Sequence, residues 1–168
     1  NIKYLLNQLG KYQKIKLYIF LRLIKITCSI LNYMEKNIEL NNLKIIETFG
    51  GDVRHFLKSD DNSYNGFGEI YFSFINKGSI KGWKLHTKMT MNLVVPIGEV
   101  GFVFFEDSSS SFKVYKIGEN NYNRLTVPPN IWFGFKGIGL SRNLVVNLSD
   151  IIHDPNESKK LNLEKLNF

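Results

Sequence analysis

The stretch MTMNLVVPIGEVGFVFFE, residues 89–106, decides the fold class. Two apolar runs, 89–95 and 100–106, flank Pro96-Ile97-Gly98, a triplet with turn chemistry. Valine and phenylalanine favour strands, and the runs lack helical periodicity. The second run is apolar on both faces, which is typical of an inner strand of a two-sheet sandwich or of a strand that a partner subunit covers.

The same pattern continues on both sides of this stretch. Short runs that favour strands recur at intervals of about 8–12 residues, and Gly, Asn, Asp, Ser and Pro separate them. The sequence therefore predicts an all-β sandwich or barrel, and it also allows a short C-terminal helix near residues 156–166. The further predicted strands cover residues 43–49, 69–75, 79–86, 112–116, 123–127, 131–135 and 143–148.

Charge is distributed unevenly along the 168 residues. The net charge is +7, but residues 1–33 hold six basic side chains and no acidic one, whereas 16 basic residues face 15 acidic ones from Met34 onward. The body is thus close to neutral, and its charge gives no reason to expect a nucleic-acid partner. The single cysteine, Cys28, excludes a disulfide scaffold and favours a reducing, cytoplasmic setting.

The first 33 residues differ in composition from the rest. Nineteen of them are Phe, Tyr, Ile, Asn or Lys, and Met34 is the first methionine. We interpret 1–33 as a non-native or upstream extension, helical if it is structured, and 34–168 as the functional domain. The alternative is a basic amphipathic segment that lies on an anionic membrane. Stable insertion is not expected, because Lys16, Arg22 and Lys25 interrupt the apolar run.

Histidine is the side chain best suited to proton transfer near neutral pH, and the chain has three: His55, His86 and His153. None forms a metal-ligand pair by spacing, so the sequence predicts no metal site. The glycine-rich stretches lack the features of a phosphate loop, and the serines lack a G-x-S-x-G frame. No cofactor is predicted.

Six short motifs follow one another along the chain. They are GDVRHFL (51–57), FGEIYFS (67–73), SIKGWKLH (79–86), VPIGEV (95–100), VPPNIWFGF (127–135) and HDPNE (153–157). In this order they resemble the GDxRGFF, FxQxNxS, VLRGLH, VxGEV, IPxGFAHGF and YxPxxE motifs of the dTDP-4-dehydrorhamnose 3,5-epimerase family. The resemblance implies a double-stranded β-helix, the cupin jelly roll. It also implies a homodimeric isomerase that epimerises a nucleotide-linked 4-keto-6-deoxy sugar in cell-surface polysaccharide biosynthesis.

The resemblance also implies roles for residues in proton transfer. His86 occupies the position of the base that takes a proton next to the ketone. Lys81 or Lys84 would stabilise the enolate oxygen, with Lys81 counted as catalytic and Lys84 as substrate-binding. His153 stands where the family has its tyrosine acid.

Four more residues match positions that contact substrate. Arg54 would hold the diphosphate, in this subunit's site or in that of a neighbour. Glu69 and Tyr71 lie on the strand that touches substrate, and Tyr71 and Trp132 offer rings for stacking.

Several positions depart from the family pattern. Phe133 replaces a second pocket histidine, and Phe102 replaces an aspartate. The aspartate that orients the base belongs to a segment with no counterpart here, so Glu69, Glu106 and Asp150 become the candidates for that role. Two other functions stay open: a sugar-nucleotide 3,4-ketoisomerase and a non-catalytic cupin that binds a nucleotide sugar.

Overall fold

A computed structural model describes Arg22, residues 37–106 and residues 111–165. The chain divides into two units, Asn1–Lys36 and Asn37–Phe168. Apart from Arg22, the extension predicted for 1–33 lies outside the described residues and stays a prediction. Within the described part of the chain, no helix has the length and apolar character needed to cross a membrane.

The second unit is built almost entirely from twelve strands. Ten of them form two five-stranded antiparallel sheets in the orders β1-β9-β6-β11-β4 and β12-β5-β10-β7-β8, while β2 and β3 form a separate hairpin. The fold class predicted from the sequence is confirmed. The strands are β1 (Glu39–Asn42), β2 (Ile45–Thr48), β3 (Gly51–Arg54), β4 (Glu69–Asn76), β5 (Ile80–His86), β6 (Met91–Ile97), β7 (Glu99–Glu106), β8 (Ser111–Gly118), β9 (Asn123–Val127), β10 (Trp132–Gly137), β11 (Arg142–Ser149) and β12 (Ser158–Lys160).

Residues 89–106 supply one central strand to each sheet. β6 lies between β9 and β11, and β7 lies between β10 and β8. Only Gly98 separates them, with a φ of 79° that a residue with a side chain rarely adopts. Leu93 from β6 and Phe102 and Phe104 from β7 belong to the same core cluster between the sheets. The predicted turn at 96–98 is therefore tighter than expected, because Pro96 and Ile97 still belong to β6.

Parts of the outer faces of both sheets are also covered, although Phe72 on β4 and Val114 on β8 are exposed. On the first sheet, buried Arg124 donates hydrogen bonds to the Phe56 carbonyl oxygen at 2.7 Å and to Asp61 at 2.8 Å, which anchors the loop between β3 and β4. On the second sheet, a smaller apolar cluster of Trp83, Leu85, Val103 and Trp132 packs outside the main core. The central strand β7 is therefore apolar on both faces, with Phe102 and Phe104 in the main core and Val103 in the outer cluster, as its sequence indicates.

Within the described residues, the short C-terminal helix that the sequence allows is present only as two 3₁₀ turns. Pro155–Glu157 and Leu163–Lys165 are 3₁₀ turns, and β12 lies between them. β12 pairs with β5, with Ser158 opposite His86. Strands β1, β3 and β12 have no predicted counterpart, because they are three or four residues long and their sequences are largely polar. Pairing with another strand decides such segments more than their own composition does.

Candidate active site

The alternation of side chains along β5 positions the site. Lys84 and His86 project toward the interior between the sheets, whereas Trp83 and Leu85 face the outer cluster. A bulge interrupts the pairing of β5 with β10 near Gly82, because two residue steps on β10 match three on β5. A Cβ atom at Gly82 would lie 2.7 Å from the Cα of Gly134, so the bulge requires glycine here.

The inward face of β5 lines a cavity of 150 Å³ between the two sheets. Its polar groups come from both walls: His86 and Lys84 from one sheet, Tyr71, Ser73 and Asn147 from the other. The remaining lining is apolar and consists of Met91, Leu93, Phe102, Phe133, Phe135 and Val145. A few convergent polar groups in a mostly apolar cavity are typical of a small-molecule site.

His86 is buried, and its two ring nitrogens differ in environment. Nδ1 forms a short hydrogen bond with Oε1 of Glu157. Nε2 is buried and has no hydrogen-bond partner within the described residues. Because an ionised carboxylate can only accept, Nδ1 carries the proton and Nε2 keeps a free lone pair. His86 is thus prepared to accept a proton from a molecule in the cavity.

Glu157 is the carboxylate that orients His86, and the sequence-based candidates Glu69, Glu106 and Asp150 do not include it. Its Oε2 accepts hydrogen bonds from the backbone N–H groups of Thr87 at 3.0 Å and Lys88 at 3.1 Å. Burial opposes ionisation, but the hydrogen bonds from His86 and the backbone outweigh it and hold the pKa of Glu157 below its ordinary value.

Asp150, one of the three sequence-based candidates, has a different hydrogen-bond partner. Asp150 accepts a hydrogen bond from the backbone N–H of Thr90 at 2.8 Å. Nothing is described of the side chain of Glu106. The available signal for Glu157 was its place in the HDPNE motif, four residues after His153. Pairing of β12 with β5 then brings this glutamate beside the histidine.

The surroundings of His86 favour its neutral form. Phe133 stacks on the imidazole, with 6.1 Å between ring centroids and 20° between planes. Burial lowers the pKa of His86 more than the hydrogen bond to Glu157 raises it. Phe133 and Phe102, which depart from the family pattern, form part of the apolar wall of the cavity that His86 also lines.

The two candidate lysines lie in different places. Lys84 is half-buried and lines the cavity, and burial lowers its pKa while nearby Glu157 raises it. Lys81 is exposed on the far side of the Gly82 bulge, and its amine donates to the carbonyl oxygen of Phe74 at 2.8 Å. Lys81 is not among the residues that line the cavity, so Lys84 is the ammonium group available to a ligand there.

Tyr71 and Glu69 share the inward face of β4, opposite the wall that carries His86. The Tyr71 hydroxyl oxygen accepts a hydrogen bond from Nδ2 of Asn147 at 2.7 Å. Oε1 of Glu69 is buried and has no partner within the described residues. Tyr71 lines the cavity, whereas Glu69 lies two residues farther along the strand.

Like Lys81 and Glu69, three further predicted site residues lie outside the cavity lining. His153 is exposed in the segment before the first 3₁₀ turn. Trp132 packs in the outer cluster, because β10 directs the adjacent Phe133 inward. Arg54 lies at the end of the β2–β3 hairpin, 2.9 Å from Asp52, and donates to the carbonyl oxygen of Glu119 at 3.1 Å.

The two facing antiparallel sheets, with the carboxylate-bound histidine between them, define the fold as a cupin jelly roll. The chain is 34% identical to the dTDP sugar isomerase of Desulfovibrio desulfuricans G20, whose crystal structure superposes with a TM-score of 0.73 over 76% of this chain and 85% of that one. The chain belongs to the family of dTDP-sugar isomerases and dTDP-4-dehydrorhamnose 3,5-epimerases.

One further relative is similar in sequence, and another is similar in fold. The probable low-salt glycan biosynthesis epimerase Agl13 of Haloferax volcanii is 25% identical over 125 residues, which cover 70% of this chain and 80% of that protein. The dTDP-4-dehydrorhamnose 3,5-epimerase of Sulfolobus tokodaii shares the fold, with a TM-score of 0.69 at 19% identity over 78% of this chain and 80% of the other. No protein-family model matches the chain.

Proposed function

We propose that the protein epimerises a nucleotide-linked 4-keto-6-deoxy sugar, of the dTDP-sugar type, in the biosynthesis of cell-surface polysaccharide. The observation that carries this proposal is the free Nε2 of His86 in a cavity that Lys84 also lines. Epimerisation next to a ketone requires a base for the C–H proton and a cation or donor for the resulting enolate oxygen. The 34% identity to a dTDP sugar isomerase supports the proposed class of substrate.

The first step is removal of the proton on the carbon next to the ketone. Nε2 of His86 takes the proton, the C–H electron pair becomes the enolate double bond, and the carbonyl electrons move onto oxygen. The anionic Glu157 stabilises the imidazolium that forms, because it accepts the Nδ1 hydrogen bond. The Lys84 ammonium stabilises the enolate oxygen in surroundings that are largely apolar.

The cavity size limits which part of the substrate enters it. Its 150 Å³ is well below the roughly 300–1,000 Å³ of sites that enclose a complete drug-sized ligand. We therefore assign the sugar ring to the cavity and the nucleotide to the protein surface. The apolar wall of Phe102 and Phe135 suits a sugar carbon that carries a methyl group in place of a hydroxymethyl group.

Replacing Lys84 with glutamine tests the stabilisation of the enolate. We expect kcat to fall about 10²- to 10³-fold, since one preorganised oxyanion donor contributes on this scale. KM should change much less, because the charge on oxygen develops only after the proton is removed. Steady-state kinetics measures both. Lys81→Gln is the matched control, and equal losses in the two variants would contradict the assignment of Lys84.

Arg54 and the β2–β3 hairpin support a homodimer that completes the site. The hairpin belongs to neither sheet, and its Ile45, Phe49 and Val53 are exposed. Because a two-stranded hairpin has little stability by itself, we propose that a second copy covers it. Arg54, at the base of the hairpin, would then bind the diphosphate in its own site or in that of the partner.

Loss of the Arg54 guanidinium should weaken substrate binding. We expect Arg54→Ala to raise KM about 10- to 100-fold, the value of one charged hydrogen bond, with little change in kcat. Arg142→Ala is the control, because Arg142 is exposed and stacks on Phe74, away from the cavity. The measurement uses a protein concentration at which the dimer is fully formed. An unchanged KM in Arg54→Ala under this condition would contradict the assignment of Arg54 to the substrate site.

Solvent exchange tests the proposed function as a whole. The protein is incubated in D₂O with dTDP-4-keto-6-deoxyglucose, and proton NMR follows the signals at C3 and C5. An epimerase replaces these protons with deuterium and yields a product inverted at one or both carbons. A 3,4-ketoisomerase would instead move the carbonyl group to C3, and a folded protein that binds the sugar without any exchange would be a non-catalytic binding protein.

A further inference from the structure

Epimerisation needs proton transfer on two opposite faces of the sugar ring. His86 and Lys84 both extend from β5, in one sheet. The described lining of the cavity contains one other acidic hydrogen on a titratable side chain, the phenol of Tyr71, and it extends from β4 in the facing sheet. A sugar ring held between the sheets would therefore have His86 on one face and Tyr71 on the other.

The hydrogen bond from Asn147 determines what the phenol can donate. Nδ2 of Asn147 donates to the Tyr71 oxygen, so the hydroxyl hydrogen is not used in this contact. Asn147 is itself buried on β11, the strand paired with β4, with Asn147 directly opposite Tyr71. The phenol oxygen is thereby held in position while its hydrogen stays available to a molecule in the cavity.

We propose that Tyr71 is the acid that returns a proton to the substrate carbon, on the face opposite His86. This inference rests on the proposed epimerase function. The acid would thus come from β4 instead of the HDPNE segment, where the family has its tyrosine and this chain has the exposed His153.

Protonation of the substrate carbon by Tyr71 restores the ketone. The Tyr71 O–H bond breaks and its proton binds the carbon that lost one to His86. The new C–H bond uses the electrons of the enolate double bond, and the oxygen electrons restore the ketone. The tyrosinate and the imidazolium then recover their starting states by exchange with water, the first gaining a proton and the second losing one.

The surroundings of Tyr71 agree with this role. Burial raises the pKa of the phenol more than the hydrogen bond from Asn147 lowers it. The group is therefore protonated at neutral pH, as an acid must be before it reacts. The Lys84 ammonium, on the wall opposite Tyr71, can stabilise the tyrosinate during the step.

The substitution Tyr71→Phe separates this inference from the function it rests on. In D₂O, His86 of the variant should still remove the substrate proton and return deuterium to the same face. We therefore expect deuterium exchange within about tenfold of the wild-type rate, while formation of the inverted product falls about 10²-fold or more. NMR of the 4-keto sugar nucleotide measures both rates in one sample, and Tyr115→Phe is the control, since Tyr115 packs on Phe104 in the core.

The other possible results of this experiment distinguish the role of Tyr71 from the epimerase function itself. Inversion by Tyr71→Phe at the wild-type rate would overturn the proposal. So would loss of both exchange and inversion in a variant that keeps its melting temperature and its affinity for dTDP. If His153→Gln uncouples exchange from inversion and Tyr71→Phe does not, then the acid is His153. Absence of exchange in the wild-type protein would contradict the epimerase function itself.

Discussion

Replacing His86 with asparagine should abolish deuterium exchange at C3 and C5 together with epimerisation, a loss of at least about 10³-fold. Nε2 of His86 is the base in the proposed reaction, and the asparagine amide has no lone pair of comparable basicity. Asparagine can still donate a hydrogen bond to the buried Glu157, so its carboxylate keeps a partner. Exchange measured by NMR reports directly on removal of the proton.

The control for this variant is His55→Asn. His55 lies in the loop after β3 and is not among the residues that line the cavity. Both variants should retain melting temperatures near that of the wild-type protein, and both should bind dTDP. An unchanged exchange rate in folded His86→Asn would show that another group takes the proton.

Glu157→Gln should lower kcat about 10²- to 10⁴-fold although the base itself is retained. The glutamate accepts the Nδ1 proton of His86 and so leaves Nε2 free. A glutamine can donate its amide hydrogen to Nδ1, which places the ring proton on Nε2 and removes the lone pair that reacts. Rates of exchange and of inversion should fall together, since both depend on the same proton removal. Glu164→Gln, in the last 3₁₀ turn, is the exposed control.

The pH dependence gives this variant a second test. In the wild-type protein, burial lowers the pKa of His86 from its ordinary value of 6.5, so activity should persist at pH 6.5 and fall only as the imidazole gains a proton at lower pH. The hydrogen bond to Glu157 raises the pKa of His86. Loss of the carboxylate in Glu157→Gln should therefore lower this pKa and move the acid limb of kcat/KM to still lower pH. A wild-type kcat in Glu157→Gln, or an acid limb that moves upward, would contradict the role of Glu157.

Much of the site could be predicted because it lies on regular strands. Once the SIKGWKLH motif is identified as a strand, alternation places Lys84 and His86 on one face and Trp83 on the other. The same rule separates Phe133 from Trp132 on β10, but the sequence alone does not say which of the two faces the interior. The sequence analysis predicts that the Trp132 ring stacks on substrate. The register of β10 instead directs this side chain outward.

Other features depended on contacts between distant segments. Glu157 reaches His86 across 71 positions of sequence, because β12 adds to the edge of β5. Strand β12 has three residues and a sequence, Ser-Lys-Lys, with little preference for a strand. The Gly82 bulge likewise separates Lys81 from Lys84, and bulges follow from pairing and packing more than from local composition.

The amino-acid sequence by itself predicted the all-β class and the positions of most strands, and the resemblance of the SIKGWKLH motif to the family's motif predicted a role for the histidine at position 86. The class and the strands follow from local chemistry, because apolar runs, turn residues and side-chain alternation are properties of neighbouring residues. Only the tertiary structure decided which carboxylate orients the histidine, which lysine enters the cavity and which aromatic ring faces it. Those outcomes depend on strand register and on pairing between segments that are far apart in the chain. The free energy of such contacts depends on both segments, so the sequence of either one alone does not predict it.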